Sequence, residues 1–160
     1  MSDPITVQTT INAPIETVWD CWNDPKHITH WAFASDDWEA PNAENDLRVG
    51  GKFKIVMAAR DGSARFDFEG TYNEVVQHSR ITYVMDDGRK VTIEFAQMPQ
   101  GVEVIETFDP EQENTRELQQ AGWQAILNNF KKYRVSRTAA LIITNCVHLS
   151  YAKNCPSLMV

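Results

Sequence analysis

The sequence predicts an α+β fold, on three observations. A strand of period two opens the chain and two short helical segments follow it. From Gly50 to Phe108 apolar and polar residues then alternate in runs separated by Asp61-Gly62, Asp87-Gly88 and Pro99-Gln100-Gly101. A single amphipathic segment closes the pattern, from Asn114 to Tyr133. An antiparallel sheet with one apolar face needs a covering layer, and the last helix supplies it. The expected order is β-α-α-β-β-β-β-β-β-α, with six further strands at most after the first.

Each element has its own warrant. Ile5, Val7 and Ile11 fall on one side of an alternating run, which half-buries a strand. Pro14 suits the first turn of a helix, where its missing N–H is not needed, and Glu16 sits near the positive end of the helix dipole. Ile15, Val18, Trp19 and Trp22 then form an apolar stripe. Asp24-Pro25 reads as a cap and a first helical residue, opening a short helix that runs to His30 or Trp31. From Ala32 to Asn45 no period holds, so an irregular, aromatic-rich connection is expected there. Phe53, Ile55 and Met57 share a strand face; Arg65 to Val76, Arg80 to Met85, a strand marked by Val91, Ile93 and Phe95, and Val102 to Phe108 complete an antiparallel meander. Asn114 and Glu117 have the spacing of a reciprocal cap, and Gln119, Gly122, Trp123, Ile126, Leu127 and Phe130 form the stripe of the helix that follows.

Composition narrows the function classes. With 160 residues the chain supports one domain with a substantial core, and its 42% hydrophobic content excludes a disordered or low-complexity class. A net charge of −7 argues against a nucleic-acid partner, whose phosphates call for a basic patch. No run is long enough to insert across a membrane, and Met1-Ser2-Asp3-Pro4 lacks the basic and apolar start of a signal peptide, so a cytoplasmic protein with reduced thiols is expected. Cys21, Cys146 and Cys155 make no paired framework, although a Cys146–Cys155 bridge is compatible with the spacing. Residues 134–160 contain no Asp or Glu, so all 22 acidic residues precede them. This abrupt shift marks a boundary: residues 1–133 form the domain, and residues 134–160 read as a disordered or loosely docked extension, with a strand or partner segment as the alternative.

Several segments in this order resemble one known family: IETVWDCW (15–22), WAFASDDW (31–38), VGGKF (49–53), FDFEGTY (66–72), ITYVMDDGR (81–89) and GWQAILNNFKKY (122–133). The chain resembles the AHSA-type branch, similar to the activator of the heat-shock chaperone ATPase, of the START/birch-pollen-allergen (SRPBCC) superfamily. The likeness covers residues 4–133, and family members commonly stop shortly after the position of Tyr133. It implies a helix-grip fold, in which a curved antiparallel sheet wraps around the C-terminal helix and leaves a cavity. In related proteins such cavities hold lipids, sterols, polyketides or other apolar molecules. The superfamily also contains cyclases, hydrolases and a co-chaperone domain, so the fold leaves the function to the residues of the site.

Those residues are chosen by phase. Phe53, Ile55, Met57, Phe66, Phe68, Tyr83, Met85 and Phe95 point toward Trp123, Ile126 and Leu127 if the alternation holds, and aromatic and Met walls suit an adaptable apolar pocket. Trp31, Phe33 and Trp38 would form its lid or mouth; otherwise these rings cap the core. Glu106 shares a strand face with Val102, Val104 and Phe108, where a carboxyl is costly unless protonated or paired. That phase makes it the candidate for a ligand hydrogen bond or general acid and base. The opposite phase buries Ile105 and leaves Glu106 in water. Tyr83 is a second polar handle. Asp67 and Glu69 read as the solvated side of their strand, and Asp36 and Asp37 do not make a cation site by adjacency. His27 and His30 lack a third ligand, Cys21 reads as a small buried residue, and no nucleotide-binding or nucleophile-elbow motif occurs. No metal and no cofactor is therefore expected. The leading function is binding of a small apolar molecule. A cyclase, dehydrase or hydrolase using the same cavity, with Glu106 and Tyr83 as its polar groups, and a chaperone-associated interaction domain are the alternatives.

Overall fold

A computed structural model describes residues 3–153, with side chains described through Arg134. Seven strands form one antiparallel sheet: β1 (Ile5–Ile11), β2 (Trp38–Asn45), β3 (Lys52–Ala59), β4 (Arg65–Val76), β5 (Arg80–Met85), β6 (Lys90–Met98) and β7 (Gly101–Phe108). Their order in space is β1-β7-β6-β5-β4-β3-β2. Thus β2 to β7 run as a meander, and β1 crosses over to pair with β7, Ile5 opposite Phe108 and Ile11 opposite Val102. The sheet curls into a half-barrel. Helices α1 (Ile15–Asn23) and α2 (Pro25–Ile28) bridge β1 and β2, and α3 (Arg116–Lys153) lies against the concave face. The α+β helix-grip architecture expected from the sequence is present.

The core follows from alternation. Ile5, Val7 and Ile11 on β1, Val91, Ile93 and Phe95 on β6, and Val102, Val104 and Phe108 on β7 are all buried on one face, against Leu127 and Phe130 of α3 and Val18 and Trp19 of α1. Gly70 sits where β4 passes beneath two rings. A Cβ there would lie 2.7 Å from Phe53 and 2.9 Å from Tyr83, so the missing side chain lets those rings meet at 4.7 Å over the sheet. A register shift between Tyr72 and Glu74 then reverses the phase of β4 and brings Val75 opposite Ile81.

The edge strand β1 is covered from α3. Gln124 accepts a hydrogen bond from the Gln8 backbone N–H at 3.3 Å and donates to the Gln8 carbonyl at 3.1 Å, and Gln120 donates to the Thr6 carbonyl. Two side chains one helical turn apart thereby satisfy strand groups that would otherwise invite another chain.

Four sequence expectations are corrected. Residues 38–45, expected as an irregular connection, form strand β2. Pro41 lies at the register shift between Glu39 and Asn42 on this edge strand, where no ladder N–H is required. The α3 cap is Thr115, whose Oγ1 accepts from the Leu118 N–H at 3.1 Å, while the Asn114 side chain instead donates to Glu111. Helix α2 ends at Ile28, and isolated turns carry the backbone on to Ala32. Helix α3 does not stop at Tyr133 but continues through Lys153. The side chains from residue 135, the backbone from 154 and the Cys146–Cys155 pairing lie outside the described residues. Asp24 caps α2 as expected, its Oδ1 accepting from the Lys26 N–H at 2.9 Å.

Candidate ligand cavity

Glu106 takes the inward phase. On β7, Val102, Val104, Glu106 and Phe108 are buried while Glu103, Ile105 and Thr107 are only partly covered. The register places Glu106 between Val7 of β1 and Ile93 of β6, so its neighbours across the ladder are apolar on both sides. It is 5% exposed and makes no hydrogen bond among the described residues. Burial pushes its carboxyl up to about 8, because the apolar surroundings disfavour the charged form. Tyr83 of β5 is equally enclosed, and burial first, then the Glu106 charge, holds its phenol well above the usual tyrosine range.

Between the sheet and α3 lies a cavity of about 1040 Å³ into which Glu106 faces. Its inner wall is made by Trp22 of α1, Trp31, Met57 of β3, Phe68 of β4, Met85 of β5, and Trp123 and Ile126 of α3. Trp123 is fixed by stacking on Phe108, with centroids 3.9 Å apart and planes 11° from parallel, and meets Phe68 edge-on at 5.9 Å. Trp31 is fixed at its polar end, its Nε1–H donating to the Cys21 carbonyl at 2.9 Å, and Asn129 of α3 donates to the Trp31 carbonyl at 2.9 Å. Phe66 and Leu118, both largely exposed, flank the mouth. Behind Trp22 and Trp31 a second cavity of about 60 Å³ is lined by Asn23, Asn45, Tyr72 and Tyr83 among others. There the Tyr72 hydroxyl donates to Asn45 at 2.6 Å, and Asn45 in turn donates to the Asn23 carbonyl.

The rim is built by two turns and a buried glutamine. Gln119 donates to the carbonyls of Glu111 and Asn114 and accepts from the Glu111 N–H, which folds the segment between β7 and α3 over the opening. Glu111 accepts in turn from the Glu113 N–H and from Asn114, contacts that hold its carboxyl below the usual range. On the facing β5–β6 turn, burial works to raise the Asp87 carboxyl, but hydrogen bonds from Arg89 outweigh it and leave the group below its ordinary value. Asp67, Glu69, Asp86 and Glu113 complete an acidic margin.

The structure therefore gathers Trp31, Met57, Phe66, Phe68, Met85, Glu106 and Trp123 around the larger cavity, and Phe53, Ile55 and Tyr83, again with Trp31, around the smaller. Four other candidates line neither. Phe95 is held edge-on by Trp19 and Trp22, Leu127 is fully buried in the core, Phe33 packs on the core's margin, and Trp38 opens β2 against Phe66 at 5.9 Å. The expected lid thus reduces to Trp31, a wall residue rather than a cover. Trp22, Arg89, Gln119 and the segment 111–114 were not among the sequence candidates. Only Gln119 carried a signal, as a polar residue within an apolar helical stripe.

Other titratable side chains are occupied elsewhere. His27 Nδ1 lies 2.7 Å from the Tyr133 hydroxyl, and His30 stacks on the Tyr133 ring with planes 3° apart. His78 is half-buried edge-on to Trp19, and His148 lies where side chains are outside the described residues. Cys21 is buried, with Arg134 Nη1 donating to its Sγ at 3.3 Å. Among the described residues no three His, Cys, Asp or Glu side chains converge as a metal site, and no helix is long and apolar enough to cross a membrane.

Comparison with known proteins agrees with this geometry. The family model described as activator of Hsp90 ATPase homolog 1-like protein matches residues 12–134. The solution structure of the AHSA1-like protein from Aeromonas hydrophila is 49% identical, with a TM-score of 0.80 over 84% of this chain and 94% of that one. Chr148 from Cytophaga hutchinsonii is also 49% identical, with a TM-score of 0.74 over 86% and 96%. NE0264 from Nitrosomonas europaea, at 18% identity, shares the fold, with a TM-score of 0.73 over 86% and 97%. No curated protein matches the chain. The match across nearly the whole described domain, together with the half-barrel gripping its C-terminal helix, makes this chain an AHSA-type member of the START-like superfamily, belonging to the activator of Hsp90 ATPase homolog 1-like family.

Proposed function

We propose that the chain binds a small, largely apolar molecule in the cavity between the sheet and α3. The observation that carries this reading is Glu106: a buried carboxyl without a hydrogen bond among the described residues, facing a cavity of about 1040 Å³ with aromatic and Met walls. A group of that kind is costly in a filled core and useful against a ligand that supplies the missing partner. The volume suits a molecule of drug or lipid size, whose apolar body the Trp and Met walls accept and whose single polar group Glu106 orients. The START-type fold generally binds hydrophobic ligands, which supports the same reading.

Native mass spectrometry of the purified chain, set beside the denatured sample, tests it with a panel of sterols, fatty alcohols and naphthyl compounds. A one-to-one non-covalent adduct is expected, lost on denaturation and lost in Trp123→Ala when that variant retains the far-ultraviolet circular dichroism of the parent. No adduct with any class of the panel would contradict the proposal.

A further inference from the structure

Resting on that reading, we infer that the ligand is an apolar amine, its ammonium group donating to the Glu106 carboxylate and its entry favoured by the acidic rim. The first support is the buried site itself. Glu106 is 5% exposed, aims into the cavity and receives no donor among the described residues, so its lone pairs are open to a ligand N–H. A charge-assisted bond of this type is among the stronger polar contacts, and it compensates the burial of both ions only when they meet directly. The proton that burial keeps on Glu106 in the empty cavity at pH 7 is released to solvent as the ammonium arrives, so amine binding is accompanied by proton release.

The second support is independent of Glu106. Asp67, Glu69, Asp86, Asp87, Glu111 and Glu113 border the opening, against Arg89 as its one basic residue. Arg89 is bound to Asp87 at 2.8 Å and Asp67 to Lys54 at 3.5 Å, while Glu69, Asp86, Glu111 and Glu113 have no ion pair among the described residues. The resulting negative potential attracts a cation and repels a carboxylate. Trp22, Trp31 and Trp123 in the lining are residues of the kind that attracts a cation. A fatty acid would cross this rim only to place its carboxylate beside Glu106. A neutral alcohol would bond to Glu106 but gain nothing from the rim.

The test uses three ligands that share one ring system and differ at the polar end: 2-(1-naphthyl)ethylamine, 2-(1-naphthyl)ethanol and 1-naphthylacetate. They are titrated by calorimetry into the full chain at pH 7 and low salt. The amine is expected to bind about tenfold or more tightly than the alcohol, with the carboxylate weakest, and added salt is expected to narrow the gap. Glu106→Gln should remove most of the amine's advantage while retaining alcohol binding. The double variant Asp86→Asn/Glu113→Gln, confined to exposed positions, should weaken the amine alone. Equal or tighter binding of the alcohol or the carboxylate overturns the amine assignment and leaves the ligand-binding reading standing. So does an amine preference that survives both sets of substitutions. Failure of all three ligands overturns the amine assignment, and the ligand-binding reading falls with it only when the sterols and fatty alcohols also give no adduct.

Discussion

Glu106 concentrates the chemistry of the molecule in one side chain. Its carboxyl is held up to about 8 by burial, against an ordinary value of 4.5. Between those two values the unfolded chain has lost the proton and the folded chain still holds it, so Glu106 costs stability as pH rises. Its contribution is fully favourable below pH 4.5 and is lost progressively toward pH 8, with a limiting slope of about 1.4 kcal/mol per pH unit. Groups at the rim and the Tyr83 phenol surround it, so the informative quantity is the difference between the chain and its Glu106→Gln variant. In urea titrations at several pH values from 5 to 8, the variant's stability relative to the parent should climb with pH; parallel curves would mean that the carboxyl is not buried as described. The sequence made this residue conspicuous as an acid on an apolar face but offered two phases for the strand. What decides the phase is the pairing of β7 with β1 and β6, where Glu106 stands opposite Val7 and Ile93. Such pairing is a property of distant segments and is absent from a local pattern.

Elements whose residues alternate over several positions were legible, and an edge strand with a proline at its register shift was not. Strands β1 and β3 to β7 were visible in their period, β4 with its bounds Arg65 and Val76, because one face of each meets the core. Strand β2 was hidden: it lies at the sheet edge, carries Pro41 at a register shift and buries little besides Ala40. Strands β3, β4 and β5 supply a test of how tightly the sheet is packed. Gly70→Ala places a methyl within 3 Å of both Phe53 and Tyr83, rings that are hemmed in by each other and by Phe68 and Tyr72. Overpacking of this kind costs about 1–3 kcal/mol, which a shift in urea midpoint without a change in slope would register. An unchanged midpoint would show that the two rings do not meet over this strand. Gln119 illustrates the opposite case, in which an element end organises a loop. Its three hydrogen bonds to residues 111–114 set the cavity rim. In the sequence it was one polar break in a helical stripe, without any indication of what it held.

At the scale of the molecule, the grip of a curled sheet on a long helix explains why a cavity and a core coexist. Leu127 and Phe130 are buried in the core together with Val18 and Phe95, whereas Trp123 and Ile126, on the same helix, line the cavity. Phase alone could not separate these neighbours, since Leu127 and Ile126 differ by one position on the same helix. This is why the sequence placed Phe95 and Leu127 at the site along with true wall residues. The overall fold was readable because many short patterns agreed in order and spacing. The division between filled and open space depends on curvature. The most direct check of the ligand-binding claim labels the methionine methyls for NMR and adds 2-(1-naphthyl)ethylamine or its alcohol analogue to the folded chain. Met57 on β3 and Met85 on β5, both in the cavity wall, should shift together with the Trp123 indole N–H. Met98, at the far end of β6, should stay still. Saturable shifts at Met57, Met85 and Trp123 would place the ligand between the sheet and α3. Shifts confined to other residues, or none with either compound, would contradict the cavity as the site of binding.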